Sequence, residues 1–132
     1  MRIMPDTHAL ISLILFPSRK FNCMPEVIIR EHTLVLSSFV VEELIAVAQR
    51  KFPQKEYSIE LFLSKLAYEL VYTPQELKGG LFEIRDVKDY PVLYTAIVEQ
   101  VDVLITGDKD FLDIDPEKPE MLAPAQFLVK YL

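Results

Sequence analysis

The sequence predicts a parallel α/β sheet covered by helices on both faces, and three observations carry that prediction. Short β-rich runs alternate with helical stretches along the whole chain. The clearest strand, Val101 to Thr106, is apolar apart from Asp102, as expected of a strand buried on both faces. No Asn-Gly pair marks a hairpin, so successive strands are expected to be joined by crossovers rather than tight turns.

Each element follows from its residues. Arg2 to Pro5 is a short apolar strand ending at Asp6, and Ala9 to Phe16 then runs helically until Pro17 stops it. Pro25 suits a first helical position, giving a second helix to Glu31. Thr33 to Leu36 is β-rich and ends at Ser37-Ser38, with Ser38 expected as the N-cap of a third helix. That helix carries Val40, Val41, Leu44, Ile45 and Ala48 on one face, and Ile59, Phe62, Leu63, Leu66 and Leu70 repeat the spacing in a fourth. Glu69 to Thr73 reads as a strand closed by Pro74, and Gly79-Gly80 marks a loop. Asp89 is expected to cap a helix through Leu93, Ala96 and Ile97, ahead of the Val101 to Thr106 strand, and a last helix follows Pro124. Asp113, Asp115, Glu117 and Glu120, punctuated by Pro116 and Pro119, read as an exposed loop.

Composition then narrows the function. At 132 residues, 51% apolar and 26% charged, the chain is balanced for one globular domain spanning 1–132. A net charge of -6 excludes a general affinity for nucleic acid or anionic lipid, so a polyanion partner needs a local basic face. The acidity is regional: residues 83–120 hold 11 acids and four bases, whereas 1–82 hold nine of each. Cys23 is the only cysteine, which excludes an internal disulfide and a multi-Cys zinc site and agrees with a reducing, cytoplasmic setting. The most apolar stretches, 9–16 and 33–41, are about half the length that crosses a bilayer, so no membrane association is expected. With Asp6 and His8 ahead of the first stretch and no small-residue cleavage site after it, the start reads as mature structure.

In a parallel sheet the carboxyl ends of the strands share one edge, where ligands bind. Asp6 follows the first strand, Asp108 follows the late one, Asp89 stands at a helix start and Glu43 lies in the third helix. Each has an ordinary structural explanation: a cap for Asp6 or Asp89, an exposed pair for Glu42-Glu43, a turn beside Gly107 for Asp108. Together they require a cation, because carboxylates about 4 Å apart repel by roughly 4 kcal/mol per pair at an effective dielectric near 20. Magnesium or manganese suits oxygen ligands and keeps waters for a phosphate substrate.

The residues that carry these acids also carry a resemblance. Met4-Pro5-Asp6-Thr7-His8-Ala9-Leu10, Leu36-Ser37-Ser38 through Glu42-Glu43-Leu44, Arg85 to Asp89 through Leu93 and Ala96, and Leu104-Ile105-Thr106-Gly107-Asp108-Lys109-Asp110-Phe111 together resemble the PIN domain. Within it, the likeness is to the group that serves as toxins of toxin-antitoxin pairs. The resemblance implies a Rossmann-like three-layer α/β/α sandwich with a central, mainly parallel sheet. It implies a ribonuclease dependent on Mg2+ or Mn2+, with Asp6, Glu43, Asp89 and Asp108 as its acidic set and Asp6, Asp89 and Asp108 as the metal ligands. Asp86 and Asp110 match positions often acidic in this group, and Thr106 matches a hydroxyl position near the metal. Where the family usually has Asn after Asp-Thr, this chain has His8, which either substitutes as an organiser or extra ligand or weakens the site.

An RNA substrate would meet local bases, with Arg19-Lys20 after the first helix and Arg50, Lys51 and Lys55 at the end of the third as candidates. An antitoxin protein is the implied partner, and homodimerisation would extend a weak basic face into a groove. Other chemistries fit less well. A phosphoaspartyl receiver needs an Asp where Val71-Tyr72-Thr73 stand, a haloacid-type phosphatase needs a second acid where His8 stands, and neither a phosphate-binding glycine loop nor a nucleophile elbow is present. The alternative from a different class is a catalytically weakened PIN-like domain that acts as a binding or regulatory subunit.

Overall fold

The computed structural model describes residues 1–15, 24–80, 89–108, 111 and 119–131. Among them five strands, β1 (Arg2–Pro5), β2 (Thr33–Ser37), β3 (Glu69–Val71), β4 (Val103–Ile105) and β5 (Glu120–Leu122), form one sheet. Their spatial order is β3-β2-β1-β4-β5, and every neighbouring pair is parallel. Ile3 and Met4 on β1, Leu34 to Leu36 on β2 and Val103 to Ile105 on β4 are all buried. Successive side chains leave opposite faces of a strand, so burial of consecutive residues means that both faces are covered. The expected three-layer α/β/α sandwich is therefore observed.

The covering layers comprise α1 (Thr7–Leu15), α2 (Met24–Glu31), α3 (Ser38–Lys51), α4 (Glu56–Lys65), α5 (Tyr90–Val98) and α6 (Pro124–Tyr131), with a short 3-10 turn at Pro53–Lys55. Val40, Leu44 and Ala48 form the buried stripe of α3, and Ile59 and Leu63 that of α4. Phe111 and Phe127 are among the largest fully buried side chains and join the same core. No helix among the described residues is long and apolar enough to cross a membrane.

The structure revises several sequence expectations. Ser37, not Ser38, caps α3: it is extended (φ -82°, ψ 151°), and its hydroxyl accepts the Val40 amide at 3.2 Å. Ser38 is already helical, and its hydroxyl accepts the Thr73 amide at 3.0 Å, tying α3 to the segment after β3. Helix α4 ends at Lys65 because Leu66 turns extended, so Leu70 belongs to β3 and is exposed rather than continuing the helical stripe. Glu120 lies in a strand, not a loop, since β5 gains backbone partners from β4 that no local signal announces. Pro17, Cys23, Asp113, Asp115 and Glu117 lie outside the described residues.

Candidate active site

Strand order 3-2-1-4-5 reverses direction between β1 and β4, which pair directly as Ile3 with Val103, Met4 with Leu104 and Pro5 with Ile105. Connections leave such a point on opposite sides and open a crevice at the carboxyl ends of the strands. A cavity of about 550 Å³ lies there, and Asp6, Glu43, Asp89 and Asp108 all line it. Four chain segments thus deliver the four acids to one cavity.

Asp6 is fixed most tightly. Its amide donates to the Ile105 carbonyl at 2.9 Å, which docks the end of β1 onto β4. One carboxylate oxygen accepts the Ala9 amide at 2.8 Å and caps α1, while the other accepts the Thr106 hydroxyl. That hydroxyl in turn accepts the Asp108 amide at 3.1 Å, so fully buried Thr106 ties together the two turns that carry Asp6 and Asp108. Burial is the largest influence on the Asp6 carboxyl and raises its pKa above the ordinary carboxylate value. The Thr106 and Ala9 hydrogen bonds and the charge of His8 pull the other way, and the neighbouring Asp108 charge adds to the rise. Asp6 and Asp108 therefore sense each other electrostatically.

Asp89 occupies the N-cap position of α5 but makes no side-chain capping hydrogen bond, so the expected capping role is not what holds it there. Glu43 reaches the cavity from the middle of α3, whereas its neighbour Glu42 lines a different depression with Phe39 and Tyr72. One residue of offset, about 100° around a helix, separates them. His8 lines the cavity beside Asp6.

Arg50 and Lys51, at the end of α3, line the same cavity, while Lys55 does not. Arg19, Lys20, Asp86 and Asp110 lie outside the described residues. The structure adds Thr7, which lines the cavity and is buried, and the apolar lining of Ile11, Val92 and Phe111 to the residues the sequence marks as candidates. Thr7 was legible only as a hydroxyl adjoining Asp6; the wall residues are indistinguishable from core by pattern.

The donor set is all hard oxygen, which suits a magnesium-type cation. Among the described residues no group of three or more His, Cys, Asp or Glu side chains stands close enough to hold an ion together.

A sequence profile of the PIN domain matches residues 2–110. Among solved structures, a chain of the crystal structure of VapBC2 from Rickettsia felis, bound to a DNA fragment from their promoter, superposes with a TM-score of 0.70. The two share 20% identity over 93% of this chain and 98% of that one, a likeness of fold. No curated protein sequence matches this chain.

Proposed function

The chain belongs to the PIN-domain family, and from that premise we propose that it is a metal-dependent ribonuclease, the toxin of a toxin-antitoxin pair. The observation that carries the reading is the delivery of Asp6, Glu43, Asp89 and Asp108 to one cavity at the topological switch point. Asp6, Asp89 and Asp108 are the residues that would hold Mg2+ or Mn2+, and Glu43 either joins them or orients water. Bound there, the ion supplies activation of water and neutralisation of charge on the phosphodiester.

The chain's own residues do the rest. Thr106 holds the Asp6 carboxylate and the Asp108 turn in register. Arg50 and Lys51 place positive charge in the same cavity, where it can meet an RNA backbone. Ile11, Val92 and Phe111 give the cavity apolar lining beside the acids. A homodimer would lengthen the basic face, and an antitoxin would cover it.

Purified protein incubated with a structured RNA mixture and Mn2+ tests the reading, with EDTA as control. Metal-dependent cleavage is expected. Undiminished cleavage in EDTA, with contaminating nuclease excluded, rejects the metal mechanism. Co-purification with the product of a neighbouring short open reading frame tests the antitoxin. His8 at the family's usual Asn position favours one second reading, a binding or regulatory subunit, for which Mn2+ binding without cleavage is the signature.

A further inference from the structure

The Thr7 hydroxyl is a polar group of the cavity that the site described above does not use. Thr7 is 3% exposed, lines the cavity, and its Oγ1 is buried without a hydrogen-bond partner among the described residues. The neighbouring groups are accounted for: Asp6 takes the Ala9 amide and the Thr106 hydroxyl, and Thr106 takes the Asp108 amide. An unsatisfied buried hydroxyl is a cost that folded proteins seldom keep, and a missing water or ion is a standard reason for one. Valine has the same shape and would carry no such cost, so packing alone does not explain a threonine here.

Position supplies the rest of the argument. Thr7 is the first residue of α1, directly after Asp6. Helical hydrogen bonding begins only at the Leu10 amide, which donates to the Asp6 carbonyl at 3.0 Å, and the Ala9 amide is taken by the Asp6 side chain. A magnesium-type cation bound at Asp6 would keep several waters, each needing acceptors or donors from the wall. A threonine in a helix divides between two χ1 rotamers, so one rotation can bring its oxygen to such a water.

We propose that the Thr7 hydroxyl is a positioning residue that hydrogen-bonds a water of the divalent ion held at Asp6. This rests on the metal-dependent reading above. It acts through the water and touches neither substrate nor ion. Partners of this kind change metal affinity or activity by about 10–100-fold when removed.

The test compares Thr7→Val, Thr7→Ser and Asp108→Asn by Mn2+ titration, metal-free melting temperature and RNA cleavage. Thr7→Val is expected to weaken Mn2+ binding by about 10-fold and to leave the metal-free melting temperature unchanged or higher, since the orphaned hydroxyl is gone. Thr7→Ser, which keeps the hydroxyl, is expected to retain Mn2+ affinity near that of the parent. Parent-like Mn2+ affinity in Thr7→Val while Asp108→Asn loses it overturns the role of Thr7 and leaves the metal reading standing. Parent-like affinity in both variants overturns both. A lowered metal-free melting temperature in Thr7→Val, with Mn2+ affinity intact, assigns the hydroxyl to structure and also overturns the proposal.

Discussion

The two ends of the central strands treat acidic residues in opposite ways. At the amino ends, Arg2 on β1 holds both oxygens of Glu69 on β3, at 3.0 and 3.2 Å, reaches Glu99 at 3.9 Å and donates to the Glu99 carbonyl. Its amide donates to the Asp102 carboxylate at 2.8 Å, and Glu120, the first residue of β5, is held by Lys130 and Tyr131 of α6. At the carboxyl ends the Asp6 carboxylate accepts a hydroxyl and an amide and no ion pair from a described residue, and Glu43 makes no hydrogen bond or ion pair with a described residue. Arg50 and Lys51 share that cavity without standing within ion-pair distance of a described acid. The fold thus pairs the acids at the amino ends with Arg2, Lys130 and Tyr131, whereas Asp6 and Glu43 at the carboxyl ends have no ion pair with a described residue.

The largest expected break in this contrast is metal removal: chelation by EDTA should abolish cleavage while the amino-end ion pairs, which need no metal, keep the protein folded by circular dichroism. Next comes Asp108→Asn. Removing one of two mutually repelling carboxylates should abolish cleavage and lower Mn2+ affinity, yet leave the metal-free melting temperature unchanged or higher. The rise in melting temperature on adding Mn2+ should shrink with the affinity. A loss of metal-free stability with an unchanged metal response would make Asp108 a structural turn residue.

Arg2→Met should do the reverse. It strands the amino-end acids and should cost on the order of 1 kcal/mol, kept modest because the pairs are partly exposed, a drop of a few degrees in melting temperature. Cleavage well below the melting temperature should not change. Equal loss of activity and stability in this variant would erase the distinction between the two ends.

Acid–base behaviour sharpens the same point. The raised pKa of Asp6 means that the folded state holds its proton more tightly than the unfolded chain does. Metal-free stability should therefore decline as pH rises from the ordinary carboxylate range through the elevated Asp6 value, and Asp6→Asn should flatten that decline. Glu120 runs the other way: the hydrogen bonds from Lys130 and Tyr131 hold its pKa below the ordinary range. Its contribution is present above that range and is lost as pH falls through the depressed value, a loss that Glu120→Gln should remove. Thermal melts between acid and neutral pH measure both slopes. The smallest effect is reserved for His8→Asn, which should leave the fold intact and cleavage at or above the parent level; a large loss would show that His8 is integral to the cavity.

Much of this architecture is local information. The apolar runs of β1, β2 and β4, the stripes of α3 and α4 and the start of α5 are legible because burial on two faces or one stripe leaves a periodic trace. The acids were legible as candidates because each follows a strand or sits at or within a helix ahead of the edge where ligands gather, and the resemblance singled out the same four. Only tertiary structure decided the rest. β5 exists because β4 offers it backbone partners, and three residues carry too little pattern to announce that. Ser37 displaced Ser38 as a cap because one residue of chain direction separates an extended from a helical conformation, and neighbouring serines are identical in propensity. The lack of a partner for Thr7 Oγ1 among the described residues, the sharing of one cavity by Arg50, Lys51 and the acids, and the pull of Asp108 on Asp6 are properties of the space between segments up to about 100 positions apart in sequence. Sequence sets what each segment can form, whereas burial and charge at the switch point depend on which segments meet there.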